Sequence, residues 1–173
     1  TSDTHYNHKN INDSTTEWVN PGDKTRKGFK DLAHMNSTIV DNINEVVEEN
    51  YILIHLGDWS FGGFDFIKEF RKRIICKRIY LITGNHDHHI LNNKDGVQGY
   101  FVNVYDSYSF CEIGVPKTKS MIEKHRFILS HYPICSWNGM NKGIPHLHGH
   151  VHLPPNKKLG QGKAMDVGMD GND

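Results

Sequence analysis

The chain has 173 residues and equal numbers of acidic and basic side chains, 20 of each, which suits a single domain over residues 1–173 with its own core. The resulting zero net charge argues against strong, unspecific binding to nucleic acids, and no apolar run is long enough to cross a bilayer. Three widely spaced cysteines without a CxxC pair, and no signal-peptide pattern, predict a cytoplasmic protein with free thiols.

The first half of the chain alternates helices and strands. After a long polar loop through residue 23, apolar residues at helical spacing predict an amphipathic helix over 30–49. The near-continuous apolar run at 51–56 is typical of a strand buried on both faces. A second helix follows at 66–74, with basic residues on its opposite face, and a second buried strand follows at 79–82.

The second half is richer in strands. β-Branched and aromatic residues over 98–115 predict two strands, joined as a hairpin whose turn lies near 106–107. A further strand is predicted over 126–130, followed by a loop rich in glycine, proline and asparagine and by a last strand over 164–167. Together these elements predict an α/β layered fold with more purely β structure in its second half.

Polar residues that can bind a metal stand at the ends of three predicted strands. Asp58, Asn85 and His131 each come just past the carboxyl end of an apolar run. Because ligands of α/β proteins gather in the crevice outside those strand ends, we expect the three side chains at one edge of the fold.

Two pairs of candidate ligands flank this set. Asp3 and His5 are two residues apart, as are His150 and His152. In an extended segment, residues i and i+2 point to the same face, so each pair is expected to bind one site from one side. The seven residues offer two carboxylates, one amide and four imidazoles, a set that suits manganese, iron, zinc, nickel or cobalt and lacks the thiolates of a structural zinc site.

The same residues stand in five short blocks, D-x-H, GD, GNHD, H and GHxH, and this series resembles the calcineurin-like metallophosphoesterase superfamily. In this chain the blocks are Asp3-Thr4-His5, Gly57-Asp58, Gly84-Asn85-His86-Asp87, His131 and Gly149-His150-Val151-His152. Each block alone is weak, but five in order over nearly the whole chain are specific. The run DTHYNH at 3–8 also looks like the DTHxxH segment of small bacterial and phage members.

The resemblance implies a β-sandwich flanked by helices that holds two divalent metal ions, with manganese expected first. The first metal would be held by Asp3, His5, Asp58 and His152. The second would be held by Asp58, Asn85, His131 and His150, with Asp58 bridging. The resemblance further implies a phosphoesterase that hydrolyses phosphate mono- or diesters through attack of a hydroxide that bridges the metals.

The charges of such a site favour a phosphate substrate. Two divalent cations carry four positive charges, whereas Asp3, Asp58 and a bridging hydroxide carry three negative ones. The remaining positive charge attracts a phosphate anion, and metals about 3.5–4 Å apart can clamp its oxygens during an in-line displacement. Ligands that were all carboxylates would cancel this attraction, which gives a reason for neutral His and Asn ligands.

His86 and Asp58 are the residues to which we assign catalysis. As an imidazole near the phosphate, His86 can donate a proton to the leaving oxygen, and the alternatives are phosphate binding or a structural role. Asp87 is expected to orient an imidazole. Protein Ser/Thr phosphatases of the superfamily carry a further Asp three residues after the GD aspartate, where this chain has Phe61.

Four weaker candidates have ordinary explanations beside the functional one. His8 is a substrate contact or a loop histidine without a role. His148 is expected to support the ligands from behind or to be solvated, because alternation alone does not say which histidines bind metal. Trp137 and Phe61 line a substrate pocket or are ordinary packing. The basic residues of 71–78 are better explained as a solvated helix face than as a nucleic-acid site.

We expect a small phosphate ester or a nucleotide as substrate and no membrane partner, with nucleic acid not favoured and the oligomeric state open. The rivals are a nuclease of the same superfamily, which usually has a more basic surface, and a non-catalytic scaffold of the same fold, which has lost metal ligands. Asp3 is expected to follow a strand, although only two residues precede it, and the tail ends just after a strand. Either the chain is trimmed at its ends or a first strand is missing, which would leave Asp3 and His5 poorly anchored.

Overall fold

The computed structural model describes residues 1–93, 95–97, 99–118, 120–154 and 156–171, and its architecture is the predicted α/β sandwich. Two β-sheets pack face to face, and the two longer helices cover the outer face of the first sheet. None of the helices in the described part of the chain is long and apolar enough to span a membrane.

The first sheet consists of three parallel strands in the order β1-β2-β3. These strands are β1 (Ile52–His55), β2 (Arg78–Ile82) and β3 (Asn103–Tyr105). Helix α1 (Leu32–Val46) precedes β1, and helix α2 (Phe64–Arg73) connects β1 to β2. This alternation agrees with the predicted elements, because parallel neighbours need a long crossover that a helix usually supplies.

The second sheet has four strands in the order β4-β5-β6-β7. They are β4 (Tyr108–Thr118), β5 (Met121–Ser130), β6 (His146–His148) and β7 (Ala164–Asp166). Strands β4 and β5 form a long antiparallel hairpin, whereas β6 runs parallel to β5 and β7 runs parallel to β6. Leu56, Ile82 and Leu129 are buried between the two sheets and form the smaller of two apolar cores.

Helix α1 lies slightly inside its predicted range because the residues at its ends stop it. Asp31 caps the N-terminus, since its side chain accepts a hydrogen bond of 2.8 Å from the backbone N–H of His34. Val47 is already extended, with φ −113° and ψ 108°. The apolar residues that α1 buries at helical spacing are Met35, Ile39, Val40 and Ile43.

The hairpin predicted over 98–115 is wrong. Strand β3 pairs in parallel with β2 in the first sheet, whereas β4 pairs with β5 in the second. Residues 106–107 therefore connect the two sheets, and residue 98 lies outside the described residues. Strand propensity does not identify the pairing partner of a strand, because pairing depends on contacts between distant segments.

Strand β5 and two shorter elements were missed in part or wholly by the sequence pattern. Strand β5 begins well before the predicted 126–130, because residues 121–126 are exposed and three of them are charged. Helix α3 (His88–Leu91) is a single turn, too short to show a period. The alternating histidines at 146–148 form β6, a strand made largely of polar residues.

The larger core lies between the first sheet and helices α1 and α2 and is built around aromatic rings. Tyr6, Trp59 and Phe70 are fully buried. The ring of Phe70 stacks on that of Tyr6 with 4.5 Å between centroids and lies 4.4 Å from that of Trp59. Tyr6 directly follows His5, and Trp59 directly follows Asp58, so this core holds the two segments that carry those candidate ligands.

Replacing Phe70 by Ala is expected to lower the free energy of unfolding by about 3–5 kcal/mol, because the change leaves a cavity against two aromatic rings. Val46→Ala is the control, since Val46 is 73% exposed, and it should change that free energy by no more than about 0.5 kcal/mol. Urea unfolding followed by tryptophan fluorescence measures both values. Equal stability of the two variants would contradict this description of the core.

Candidate metal centre

The loops that carry the candidate ligands meet at one end of the sandwich. Asp58 follows β1 and Asn85 follows β2, so both lie beyond the carboxyl ends of parallel strands. In the second sheet, His131 follows β5 and His150 follows its parallel neighbour β6. Four strand ends are thus brought together, which is the usual place for a ligand site in an α/β fold.

The N-terminal segment that carries Asp3 and His5 is anchored to the loop after β1. The backbone N–H of Asp3 donates to the carbonyl oxygen of Gly57, and that of His5 donates to the carbonyl oxygen of Asp58, each at 3.0 Å. Both residues are therefore well anchored. The poor anchoring that we expected in the case of a missing first strand is not observed for them. The hydrogen bonds place both side chains beside Asp58.

Five of the seven candidate ligands have a left-handed backbone. The φ angles are 54° at Asp3, 48° at His5, 56° at Asp58, 73° at His150 and 48° at His152. The expectation that the Asp-x-His and His-x-His pairs are extended is therefore wrong. Residues other than glycine rarely adopt this conformation, and such strained residues cluster at functional sites, where the surrounding structure holds them in place.

Asp3, His5 and His152 form a first group of side chains. The Nε2 atoms of His5 and His152 lie 3.1 Å apart. Oδ1 of Asp3 is 4.0 Å from Nε2 of His5 and 3.7 Å from Nε2 of His152. These distances are short enough for one cation to contact all three side chains.

Asp58, Asn85 and His131 form a second group. Nε2 of His131 lies 3.0 Å from Oδ1 of Asn85 and 3.6 Å from Oδ2 of Asp58. His150 is exposed at the edge of this group, with its ring centroid 5.0 Å from that of His131. The structure thus places six of the seven candidates in two adjoining groups and the seventh beside them.

Two carboxylates lie between the groups. Oδ2 of Asp58 is 3.6 Å from Nε2 of His5 and 3.6 Å from Nε2 of His131. The carboxylate of Asp3 is also near both groups, since it lies within 4.8 Å of ligand atoms of Asp58 and His131. The geometry therefore offers Asp58 as a shared ligand and adds Asp3 as a second one, which the sequence did not suggest.

The hydrogen bonds around His131 leave a nitrogen lone pair facing the second group. Its Nδ1–H donates to the carbonyl oxygen of Leu56 at 2.8 Å, and a neutral imidazole has only one N–H. Nε2 therefore has no hydrogen to share with the oxygens of Asn85 and Asp58. Acceptors that face one another without a hydrogen repel, and a cation among them turns the repulsion into attraction. The donor set therefore fits a divalent metal ion.

Burial shifts the pKa values of the first group. It raises the pKa of Asp3 to about 7, although His152 and a hydrogen bond from the His150 N–H oppose the shift. It lowers the pKa of His5 well below its usual value. Burial also lowers the pKa of His152, but the contacts with Asp170 and Asp3 outweigh this effect and raise the pKa. Because metal ligands must be deprotonated, a metal ion competes with protons on Asp3 and His152.

Asp170 and Arg26 support this site, and sequence reasoning missed both. The carboxylate of Asp170 lies 2.5 Å from Nδ1 of His152 and so leaves Nε2 of that ring to face Asp3. Arg26 donates to both carboxylate oxygens of Asp170, at 2.6 and 3.0 Å. The same guanidinium donates to the carbonyl oxygens of Asp3 and Thr4, at 2.6 and 2.8 Å. One arginine thus connects the segment of Asp3 and Thr4 to that of Asp170 at the site.

Asp87 holds loop backbones rather than the imidazole that we expected. Its carboxylate accepts hydrogen bonds of 2.8 Å from the backbone N–H groups of Asp58 and Gly84, and one of 2.9 Å from that of Trp59. Burial raises the pKa of Asp87 to about 6 despite these bonds. The described contacts therefore assign Asp87 to linking the loops after β1 and β2.

The glycines of the GN and GH blocks allow the loops to approach closely. A Cβ at Gly84 would lie 2.3 Å from Oδ1 of Asp58 and 2.7 Å from Cε1 of His131. A Cβ at Gly149 would lie 2.3 Å from Oδ2 of Asp3. Any side chain at either position would displace a candidate ligand, so these glycines are required by space rather than by a turn.

His86 and His8 lie beside the first group. The backbone N–H of His86 donates to Oδ1 of Asp58 at 2.9 Å, and its half-buried ring has its centroid 5.7 Å from that of His5. The ring of His8 stacks on Phe61 with 3.7 Å between centroids and lies 5.4 Å from that of His5. Both histidines are therefore placed where a substrate of this site could meet them.

His148 and Trp137 have the contacts of packing residues. His148 is buried in β6, with its ring centroid 5.3 Å from that of His146, and is therefore not solvated. Trp137 is also buried, donates from Nε1 to the carbonyl oxygen of Ile144 at 2.7 Å and lies 5.2 Å from the ring of His146. These contacts favour ordinary packing for Trp137. For His148 they exclude the solvated alternative and leave a position behind the ligands, where its Nδ1–H donates to the carbonyl oxygen of Gly149 at 3.1 Å.

Comparison with known proteins identifies one family. A family model described as calcineurin-like phosphoesterase matches residues 1–166. No curated protein and no solved structure gives a significant match. The matched span contains all seven candidate ligands and ends before Asp170. Asp170 and Arg26 stand in none of the five blocks, so the motif pattern gave no signal for either.

Replacing Asp170 by Ala is expected to weaken manganese binding about 10- to 100-fold, because His152 loses the carboxylate that orients its ring and Arg26 loses its partner. Isothermal titration calorimetry with Mn²⁺ measures the change. Asp41→Ala, on an exposed position of α1, is the matched control and should bind like the unmodified protein. Unchanged affinity in a folded Asp170→Ala protein would show that this carboxylate does not support a metal ligand.

Proposed function

The chain belongs to the calcineurin-like phosphoesterase family, and we propose that it hydrolyses small phosphate mono- or diesters with two divalent metal ions. Metal-dependent hydrolysis of phosphate esters is the general activity of this family. The observation that carries the binuclear proposal is the position of Asp58, whose Oδ2 lies 3.6 Å from a nitrogen of each ligand group. A carboxylate equally close to two groups is suited to bridge two cations.

The seven candidates divide between two metals in this proposal. The first metal would be held by Asp3, His5, Asp58 and His152. The second would be held by Asp58, Asn85, His131 and His150. When bound, the two metals would activate the attacking water and neutralise charge on the phosphoryl oxygens. Manganese is the proposed ion, because carboxylate, amide and imidazole ligands without thiolate suit it.

His86 is the proposed general acid. Its hydrogen bond to Asp58 fixes the backbone beside the shared carboxylate, while its half-buried ring remains accessible from solvent. In that position the imidazole can donate a proton to the leaving oxygen of the ester. Asp58 then has two functions, since one carboxylate oxygen faces the metal ligands and the other positions His86.

Three of the basic residues in 71–78 that could favour a nuclease make contacts within the fold. Arg71 donates to the carbonyl oxygen of Tyr100 at 2.6 Å and to that of Ile74, just beyond helix α2, at 3.1 Å. Arg73 donates to the hydroxyl of Tyr6 at 2.9 Å, and Lys77 pairs with Glu49 at 2.5 Å. These contacts support a small ester over a nucleic acid. All seven candidate ligands are present at the site, which also argues against a scaffold that has lost its metals.

His86→Ala is expected to lower kcat for bis-p-nitrophenyl phosphate by about 10²- to 10⁴-fold with little loss of manganese affinity, because the change removes the acid but no metal ligand. Release of p-nitrophenol and calorimetry with Mn²⁺ measure the two quantities. His125→Ala, on the exposed part of β5, is the matched control and should have the activity of the unmodified enzyme. A His86→Ala enzyme with full activity would exclude His86 as the acid.

Asp58→Asn is expected to abolish measurable hydrolysis and to weaken metal binding, because it removes the charge shared by both ligand groups. The metal and substrate preference of the unmodified protein is measured with mono- and diesters and with single- and double-stranded DNA. Each substrate is assayed with manganese, zinc, nickel and cobalt. Hydrolysis of the small esters with DNA left intact is the expected result. Cleavage of DNA that is faster than hydrolysis of the small esters would favour the nuclease. Absence of metal binding by the unmodified protein would favour the scaffold.

A further inference from the structure

We propose that Trp18, His8 and Phe61 form an aromatic wall that binds the planar ring of an aromatic phosphate ester, such as a nucleobase. The inference rests on the proposed function and deepens it, since it assigns the organic part of the substrate rather than the phosphate. The ligand class is a phosphate ester whose alcohol carries a flat aromatic ring.

The three side chains make a continuous ring surface. The imidazole of His8 stacks on Phe61 with 3.7 Å between centroids and an angle of 8°. Trp18 stands edge-on to His8, with 6.1 Å between the two ring centroids and an angle of 82° between the ring planes. Trp18 is 39% exposed, and the other two rings are half-buried, so the wall can be reached from solvent. Such rings gain free energy by stacking on flat groups.

The wall adjoins the proposed reaction centre. The ring of Phe61 lies 4.7 Å from that of His86 and 5.3 Å from that of His5, measured between centroids. His8 is 6.4 Å from His86. A phosphate at the candidate metal site and a ring on the wall would therefore be separated by a short linker, which the ribose of a nucleotide can supply.

Backbone hydrogen bonds hold the segments that carry Phe61 and His8 in place before any ligand binds. The backbone N–H of Phe61 donates to the carbonyl oxygen of Tyr6 at 2.8 Å, and its carbonyl oxygen accepts from Nδ2 of Asn7 at 3.3 Å. The backbone N–H of His8 donates to the carbonyl oxygen of His5 at 2.9 Å. A rigid surface loses little conformational entropy on binding, which favours recognition of a flat group.

The composition of the wall suits a neutral ring better than a second phosphate. Trp18 and Phe61 have no titratable group, so their rings offer stacking and no cation for an anion.

The first experiment compares kcat/KM for adenosine 5′-monophosphate, p-nitrophenyl phosphate and ribose 5-phosphate in the manganese-loaded enzyme. We expect the aromatic esters to be preferred over ribose 5-phosphate by about tenfold or more, mainly through KM, and Trp18→Leu and Phe61→Leu to reduce that ratio severalfold. Phe110→Leu, at an exposed position of β4, is the matched control and should keep the ratio. A ratio that falls in the leucine variants for the nucleotide alone assigns the ring as a nucleobase, and a ratio that falls for both aromatic esters assigns any aromatic ring.

The second experiment tests the wall without hydrolysis. The chain has three tryptophans, and Trp59 and Trp137 are buried, so a ligand on the wall should quench mainly Trp18. Adenosine carries the ring but no phosphate, and titrating it should quench the fluorescence of the unmodified protein and not that of Trp18→Phe. If adenosine does not quench the fluorescence, or if the kcat/KM ratio is unchanged in both leucine variants, the proposed wall is wrong. The proposed function then still holds, provided that the esters are hydrolysed. If no ester is hydrolysed, the proposed function fails, and quenching alone then supports or overturns the wall.

Discussion

The arrangement of this protein depends on an electrostatic constraint at one end of its sandwich. Two buried carboxylates, an amide oxygen and the nitrogens of buried imidazoles face one another within a few ångströms. Arg26, the guanidinium beside them, is engaged by Asp170 and by carbonyl oxygens. Electron-rich atoms gathered away from water cost free energy unless a positive charge lies among them. This cluster is therefore better understood as a metal centre than as part of a core.

The rest of the fold holds that cluster together against its own repulsion. Left-handed backbone angles at Asp3 and Asp58 are maintained by hydrogen bonds between the N-terminal segment and the loop after β1. Asp87 fastens that loop to the one after β2. The buried rings of Tyr6 and Trp59 place the neighbouring ligands from the core side. Strain at the site is thus balanced by contacts made away from it.

The two proposals place chemistry and specificity in different parts of the chain. In them, the five blocks supply the groups that would bind metals and phosphate. The aromatic side chains beside them lie outside the blocks, in the loop that carries Trp18 and at Phe61. A common reaction with a variable organic group is the usual arrangement when a rigid scaffold carries binding residues on loops.

The sequence by itself determined the family, the α/β class and the seven candidate ligands, because side-chain chemistry and short apolar runs are local properties. Tertiary structure alone decided the partners of β3 and β4, since strand pairing joins segments that no local pattern connects. It also decided the left-handed geometry of the ligand pairs, where local spacing had suggested extended strands. Arg26 and Asp170 entered the site only through the fold, because a residue 144 positions away in sequence has no local signature.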